Sequence, residues 1–330
     1  MGQSQPEMDA VVDSLVKRLD TDGSQRTIDH VKWQVIKGHG EKRLFWNFQR
    51  AHGNLKFRIL LAGQGYMPMM EAGSRSAEPE LRAAVPILMG NGAETEAFET
   101  ARRAILMRFL TDSSPLVKER ALWQLRFIPR PKSFNPISRI RPLLRDSDVW
   151  VRVQAAVAFA DWSNSGGVPV LVSEIVDREL KHSQDRITLR SEADNVLRRF
   201  AKASTPLVIT RLTSQDPHVR GRALRMLNLL RPTNLMELAA PLARDRSEWV
   251  RGEAYGAIGA QRRNVSIPLL VAGFQDSSEN VRQRVEDTLR NGGWPSFSKY
   301  WLEGCEALKK ARPKAWIPLP SQMASPGSDG

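Results

Sequence analysis

Stripes of apolar residues at helical spacing, separated by polar turns, recur along most of the chain. One stripe consists of Val250, Ala254, Ala257 and Ile258, which lie on one face of a helix. A second, more hydrophobic helical segment precedes each stripe, at residues 167–180, 204–212, 235–243 and 265–274. Neither helix of such a pair can bury its apolar face alone, so the stacking of neighbouring pairs must form the core. The pattern predicts an all-α protein, a right-handed α-solenoid of stacked helix pairs.

A short sequence motif, called the phrase below, lies at the start of the second helix of each pair. It consists of an acidic residue or serine, followed six residues later by Lys or Arg. The phrase starts at Asp112, Asp146, Ser214, Asp245 and Asp276 and ends at Lys118, Arg152, Arg220, Arg251 and Arg282, with a degraded copy around Leu189-Arg190. Its basic position advances by 34, 38, 30, 31 and 31 residues. Such a period is typical of helical repeats, and Asp or Ser before a helix is typical of N-caps.

These repeats resemble the HEAT-repeat family, particularly its short, phycobilin-lyase-type repeats. Members of that group carry a proline in the first helix, an aspartate in the turn and an arginine in the second helix. Two repeats reproduce this set, one as Pro268, Asp276 and Arg282 and the other, with serine in the turn, as Pro206, Ser214 and Arg220. The resemblance covers about residues 105–292. It implies a concave docking surface built from the second helices.

The two ends of the chain depart from the repeat pattern. Residues 1–77 are predicted to form an N-terminal appendage in which a helix precedes residues 27–61. There, apolar and polar residues alternate around Trp33 and Trp46 between glycine-containing turns. This alternation favours a three-stranded β-meander, and a drifted helical repeat is the alternative. The repeat solenoid is predicted over residues 78–292, a capping helix over 293–312, and a flexible Pro- and Ser-rich tail over 313–330.

Charge and composition narrow the class of protein. The formal net charge is +13, and residues 181–290 hold 19 basic and 12 acidic residues. Such an excess favours association with polyanions or acidic proteins. No apolar stretch is long enough to span a membrane, and the first residues lack the features of a secretory signal. The single cysteine, Cys305, excludes an intrachain disulfide. We therefore expect a cytoplasmic protein that makes no membrane contact.

Catalytic and metal-binding motifs are missing from the sequence. The five histidines show no metal-ligand spacing, and neither a phosphate-binding glycine loop nor a GxSxG motif occurs. The sequence therefore predicts no enzyme, no cofactor and no metal. One enzymatic alternative comes from alkylpurine DNA glycosylases, which resemble this chain in being basic HEAT-like solenoids with aromatic residues and a carboxylate on the concave face. Asp161 beside Trp162 would fit that alternative. A chaperone for a chromophore, similar to the lyases, is another.

The acidic and basic residues of the phrase are interpreted first as structure. An aspartate at a helix start and the basic residue of a neighbouring phrase can form charge-assisted hydrogen bonds from repeat to repeat. The predicted ladder consists of Asp146, Arg152, Arg220, Asp245, Arg251, Asp276 and Arg282.

Other basic residues are interpreted as a binding surface. No acidic residue occurs between Arg120 and Arg145, and positions 222 and 284 each lie two residues after a phrase arginine. The candidate binding residues are Arg126, Arg130, Lys132, Arg139, Arg141, Arg198, Arg199, Arg222, Arg225, Arg262, Arg263 and Arg284. We expect a non-catalytic scaffold whose partner is a protein with an acidic surface. DNA or RNA, held through its phosphates without base recognition, is the alternative partner.

Overall fold

The computed structural model describes residues 5–90, 95–180, 187–260 and 266–291, together with residues 306, 309 and 310. These residues form helices and turns, with no strand in the described part. The chain divides into two compact units, Met1–Gly167 and Val168–Gly330. The predicted boundary at residue 77 stays a prediction. The predicted capping helix and tail lie, apart from three residues, outside the described residues.

The first unit contains ten helices among its described residues. They are α1 (Gln5–Thr21), α2 (Gln25–Gly38), α3 (Glu41–Arg50), α4 (Gly53–Ala62), α5 (Met67–Gly73), α6 (Pro79–Leu88), α7 (Glu96–Phe109), α8 (Pro115–Leu125), α9 (Ile137–Ile140) and α10 (Val149–Asp161). Helices α6, α8 and α10 pack side by side in that order, and α7 packs against α8.

The second unit continues with eight helices in the part that the structure describes. They are α11 (Val168–Val172), α12 (Ile187–Arg199), α13 (Ala201–Ile209), α14 (Pro217–Leu230), α15 (Leu235–Ala239), α16 (Glu248–Ala260), α17 (Ile267–Ala272) and α18 (Glu279–Asn291). Helices α14, α16 and α18 pack side by side, and α13, α15 and α17 are the first helices of their pairs. A π-helical turn, Ser173–Asp177, follows α11 directly.

Stacked helix pairs form the core of each unit, as the apolar stripes predict. The apolar residue just before the basic end of each phrase points into this core, and in the described residues it is buried at Leu81, Val117, Val151, Val219, Val250 and Val281. The predicted all-α solenoid of helix pairs is confirmed. None of the described helices combines the length and the apolar character needed to cross a membrane.

The β-meander predicted for residues 27–61 is wrong, because this segment forms α2, α3 and α4. The buried residues of α2 include Ile28, Val31 and Val35, which follow helical spacing, whereas Trp33 is 55% exposed. Trp46 of α3 is also exposed and lies between the guanidinium groups of two arginines, 4.0 and 4.2 Å from its ring centroid. The period of two arose from counting these outward-facing tryptophans as core residues.

Candidate functional site

In the second unit, Arg220, Arg251 and Arg282 each donate hydrogen bonds to the turn at the start of their own phrase. Nη1 of Arg220 donates to the carbonyl oxygens of Ser214 and Gln215 at 2.7 and 3.1 Å. Nη1 of Arg251 and of Arg282 donates in the same way to the carbonyls six and five residues upstream. These bonds satisfy carbonyl groups at the end of the preceding helical turn, which would otherwise lack intrahelical partners.

The remaining nitrogens of the phrase arginine reach the next phrase. Nε and Nη2 of Arg220 donate to both carboxylate oxygens of Asp245 at 2.8 and 2.7 Å, and Arg251 binds Asp276 in the same bidentate way at 2.7 Å for both bonds. Bidentate arginine–carboxylate pairs are among the stronger hydrogen bonds in proteins. In the first unit, Lys118 forms the corresponding ion pair with Asp146.

The phrase carboxylates have lowered pKa values. Burial raises the pKa of Asp245, but hydrogen bonds from Arg220 and from the backbone N–H of Ser247 outweigh it, so that the net pKa is below the ordinary value. At Asp276 the hydrogen bond from Arg251 is the largest influence and lowers the pKa against the effect of burial. Both carboxylates therefore favour the charged form that the arginines bind.

One further copy of the phrase was missed in the sequence. Residues 76–82 begin with Ser76 and end with Leu81-Arg82, where most other copies end with Val-Arg. Arg82 donates to the carbonyls of Ser76 and Ala77 and binds both oxygens of Asp112 at 2.8 and 2.9 Å. The signal was present 36 residues before Lys118, but Leu in place of Val made it less conspicuous.

A groove runs across the surface of the second helices α14, α16 and α18. We call it the second-unit groove and define it by Arg225, Trp249, Gly252, Glu253, Asn280 and Arg284. It continues past Gly256 and Asp287. The groove therefore combines one aromatic ring, two arginines and carboxylates on a floor of small residues.

Trp249 is the aromatic part of this groove and is held on three sides. Its six-membered ring lies over Gly221, where a Cβ atom would come within 2.2 Å of it. The ring of His218 is 5.3 Å away, and the guanidinium of Arg225 lies 5.4 Å from the tryptophan ring. Arg225 in turn binds Glu253 at 2.7 Å. These contacts fix the orientation of the indole.

Arg284 differs from Arg225 in its surroundings. It is exposed and its guanidinium lies on the backbone of α16 at Gly256, where a Cβ atom would be 3.3 Å from Nη2. Within the described residues no carboxylate pairs with it. Its charge is therefore open to a molecule in the groove.

The helix pairs, the phrase and the groove agree with a known repeat family. Residues 205–290 match the family model described as HEAT repeats. This segment of the second unit is similar to HEAT repeats. No curated protein matches the chain in sequence.

Solved structures of similar fold include large HEAT-like solenoids. The structure of Kap121p bound to Pho4p has a TM-score of 0.56 and 12% sequence identity over 92% of this chain and 43% of that chain. The karyopherin Kap121p bound to the SUMO protease Ulp1p gives 0.57 and 12% over 93% and 43%. The Kap95p structure with RanGDP gives 0.60 and 14% over 90% and 48%. The chain spans less than half the length of these proteins, and the likeness concerns the fold.

Arg222 lies in the matched segment but does not line the second-unit groove. Its Nε donates to the carbonyl of Val176 at 2.6 Å, Nη2 donates to the carbonyl of Asp177 at 3.1 Å, and Nη1 pairs with Glu179 at 3.1 Å. The side chain is 13% exposed. Arg222 thus ties α14 to the end of the preceding π-helical turn, so position 284 has a different role from position 222 despite their equivalence in sequence.

The other predicted binding residues are distributed unevenly. Arg198 and Arg199 are exposed at the end of α12, and Arg262 and Arg263 lie outside the described residues. In the first unit, Arg130, Lys132, Arg139 and Arg141 are exposed, whereas Arg126 is largely buried and bound to Asp161. The sequence could not show this pairing, because residues 126 and 161 are far apart in the chain.

The position of Asp161 weakens the glycosylase alternative. Its carboxylate binds Arg126, and its carbonyl accepts a hydrogen bond from Arg130. Trp162 beside it packs edge-on against Phe134, with centroids 5.8 Å apart. This carboxylate and ring therefore take part in internal contacts. Among the described residues there is also no group of three or more His, Cys, Asp or Glu side chains that could hold a metal ion.

Proposed function

We propose that this chain is a non-catalytic binding scaffold that docks a protein partner with an acidic surface, and that the second-unit groove is the docking surface. The observation that carries the proposal is the exposed Arg284, whose guanidinium is supported by α16 and has no carboxylate partner in the described part of the chain. An acidic side chain of a partner could bind this guanidinium in the bidentate manner that the phrase arginines use internally.

Trp249 supplies the second element of a protein-binding surface. Tryptophan and arginine are enriched among the residues that dominate binding energy at protein interfaces. Because His218, Gly221 and Arg225 already hold the indole, a partner would lose little side-chain entropy on contacting it. A rigid aromatic ring beside an available arginine favours a protein surface that presents both apolar and acidic groups.

The solved structures of similar fold support a protein partner. Kap121p has been captured with Pho4p and with the SUMO protease Ulp1p, and Kap95p with RanGDP. The proposal takes from these complexes only that such a stack of helix pairs can bind other proteins. Fold alone does not decide function, and it is the groove residues that indicate the partner's chemistry.

Photo-crosslinking from the groove tests this proposal. We expect a benzophenone amino acid in place of the exposed Asn280, introduced in the native cells, to give a defined adduct that protease removes and nuclease does not. The same group in place of Lys202, which is exposed on the first helix α13, is the matched control and is expected to give no such adduct. A nuclease-sensitive adduct at position 280, or equal adducts at both positions, would contradict the proposal.

Nucleic acid is the less well supported partner. Arg126, Arg222 and Arg225, which the sequence offered as phosphate contacts, already bind Asp161, Glu179 and Glu253. Fewer free cations release fewer counterions, so the salt dependence of affinity becomes shallower. We expect fluorescence anisotropy to show weak binding to duplex DNA and to single-stranded RNA at 50 mM NaCl and none by about 150 mM, where the Debye length is about 8 Å. Tight binding at 150 mM with a steep salt slope would favour the nucleic-acid alternative.

A further inference from the structure

A row of large apolar side chains on α8 lies outside the core of the first unit. Leu116 and Trp123 are seven residues apart and so share one face of α8, and Phe127 follows in the turn after the helix. These side chains are 38%, 39% and 45% exposed, respectively. Single exposed apolar residues are common on protein surfaces, but a contiguous group marks a binding site.

The two aromatic rings of this row are fixed in place. The centroids of Trp123 and Phe127 are 4.8 Å apart, and the guanidinium of Arg126 lies 5.4 Å from the phenyl ring. Arg126 is itself anchored by its ion pair with Asp161. Next to Trp123, the buried Gln124 donates to the carbonyl of Gly90 at 2.8 Å. The row is therefore presented by a rigid support.

The neighbouring helix α6 extends the apolar surface. Ile87 lies five residues after Arg82, and Trp123 lies five residues after Lys118, so the two occupy the same position of successive phrases. Helices α6 and α8 pack side by side. Equivalent positions on stacked helices lie on the same side, and Ile87 is 40% exposed. We call the surface formed by Ile87, Leu116, Arg120, Trp123 and Phe127 the α8 face.

Two arginines, Arg120 and Arg130, lie on or beside the α8 face. Arg120 lies between Leu116 and Trp123 on the same side of the helix and has no ion pair within the described residues. Arg130 is exposed just beyond the end of α8, where it donates to the carbonyl of Arg126 at 2.8 Å. No acidic residue occurs from Arg120 to Arg145.

We infer that the α8 face binds an amphipathic helix of a partner protein, with apolar residues at i, i+4 and i+7 and acidic residues along one flank. With a rise of about 1.5 Å per residue, the seven residues from Leu116 to Trp123 span about 10 Å, which matches the i to i+7 spacing of a second helix packed against α8. The acidic flank pairs with Arg120 and Arg130. This surface goes beyond the proposed function, because it uses residues of the first unit only.

Selection from a helical peptide library tests this inference. The probe is a phage library of 16-residue helices with leucine or phenylalanine at the i, i+4 and i+7 positions and Glu, Lys or Ser allowed elsewhere, selected on the full chain at 150 mM NaCl. We expect Glu to be enriched over Lys at the flanking positions. We also expect Trp123→Ala to weaken the selected peptides at least tenfold, and Arg120→Glu to weaken them and to select Lys-rich peptides instead.

Two control variants distinguish peptide binding at the α8 face from binding at the second-unit groove. Trp33→Ala removes a tryptophan that is 55% exposed on α2 and is expected to change peptide affinity less than twofold. Arg284→Glu is expected to leave it unchanged, since that residue belongs to the groove. The inference is overturned if no peptide is selected or Lys is enriched on the unaltered chain. It is also overturned if Trp123→Ala and Trp33→Ala act alike, if polyuridylate displaces the peptides at 150 mM NaCl, or if Trp123→Ala dissociates a dimer of the chain.

Discussion

Glu99→Ala is expected to lower the free energy of unfolding by about 3–5 kcal/mol, because it leaves the guanidinium of Arg102 charged and buried. Arg102 is 0% exposed and Glu99 is 2% exposed, and the two side chains pair at 3.1 Å on α7. Among the residues that the structure describes, Glu99 Oε2 and Arg102 Nε and Nη2 have no hydrogen-bond partner. Burial lowers the pKa of Arg102, and Glu99 counteracts this effect.

A double variant distinguishes two quantities: the net contribution of this ion pair to the free energy of unfolding, and the destabilisation caused by removing only one of its partners. Replacing both partners by apolar residues of similar volume, as in Glu99→Leu with Arg102→Met, removes two buried charges together. We expect the double variant to be at least as stable as the unaltered chain. Chemical denaturation followed by circular dichroism would measure the unfolding free energies. A double variant as unstable as Glu99→Ala would contradict this account of the pair.

Asp245→Ala is expected to destabilise the second unit by about 2–3 kcal/mol, since hydrogen bonds to charged groups contribute more than neutral ones. The substitution removes the bidentate acceptor of Arg220 and the acceptor of the Ser247 N–H. Asp20→Ala is the matched control, because that side chain is exposed and makes no hydrogen bond or ion pair within the described residues. Thermal and urea denaturation should give a large loss for the first variant and little for the second.

The same contacts set the pH dependence of stability. Asp112, Asp146, Asp245 and Asp276 all have lowered pKa values in the folded chain. Their contribution is therefore complete above the ordinary aspartate pKa of about 3.9 and is lost as pH falls through the lower folded values. Unfolding free energy should fall steeply below about pH 4. The difference between the unaltered chain and Asp245→Asn should shrink over the same range, and a constant difference down to pH 2 would contradict the contribution of this carboxylate.

The repeat phrase made most of the fold predictable from the sequence. Its spacing located the second helices, and the residue before Lys118, Arg152 and the later basic positions is buried as the pattern requires. Over residues 27–61 the sequence favoured strands over helices, because Trp33 and Trp46 are apolar but face outward. The exposed indoles lie against the cationic groups of Lys37, Arg43 and Arg50, and these contacts have no periodic signature in a sequence.

The candidate site was less predictable than the fold. Their equivalent sequence positions grouped Arg222 with Arg284. Tertiary contacts distinguish them, because the guanidinium of Arg222 donates to the carbonyl of Val176, whereas that of Arg284 is exposed beside Gly256. The pairing of Arg225 with Glu253 joins two repeats and depends on the packing of α14 against α16. A sequence indicates where charge accumulates, but it does not show which charges are already neutralised.

The central claim, that the second-unit groove docks an acidic protein through Arg284, is tested most directly by calorimetric titration of the crosslinked partner once it is purified. The account predicts that Arg284→Glu weakens binding at least tenfold at 150 mM NaCl, because a bidentate pair is replaced by a repulsive contact. Lys202→Glu makes the same change in net charge on α13 and should leave the affinity within twofold. Equal weakening by both variants, or none by Arg284→Glu, would contradict the claim.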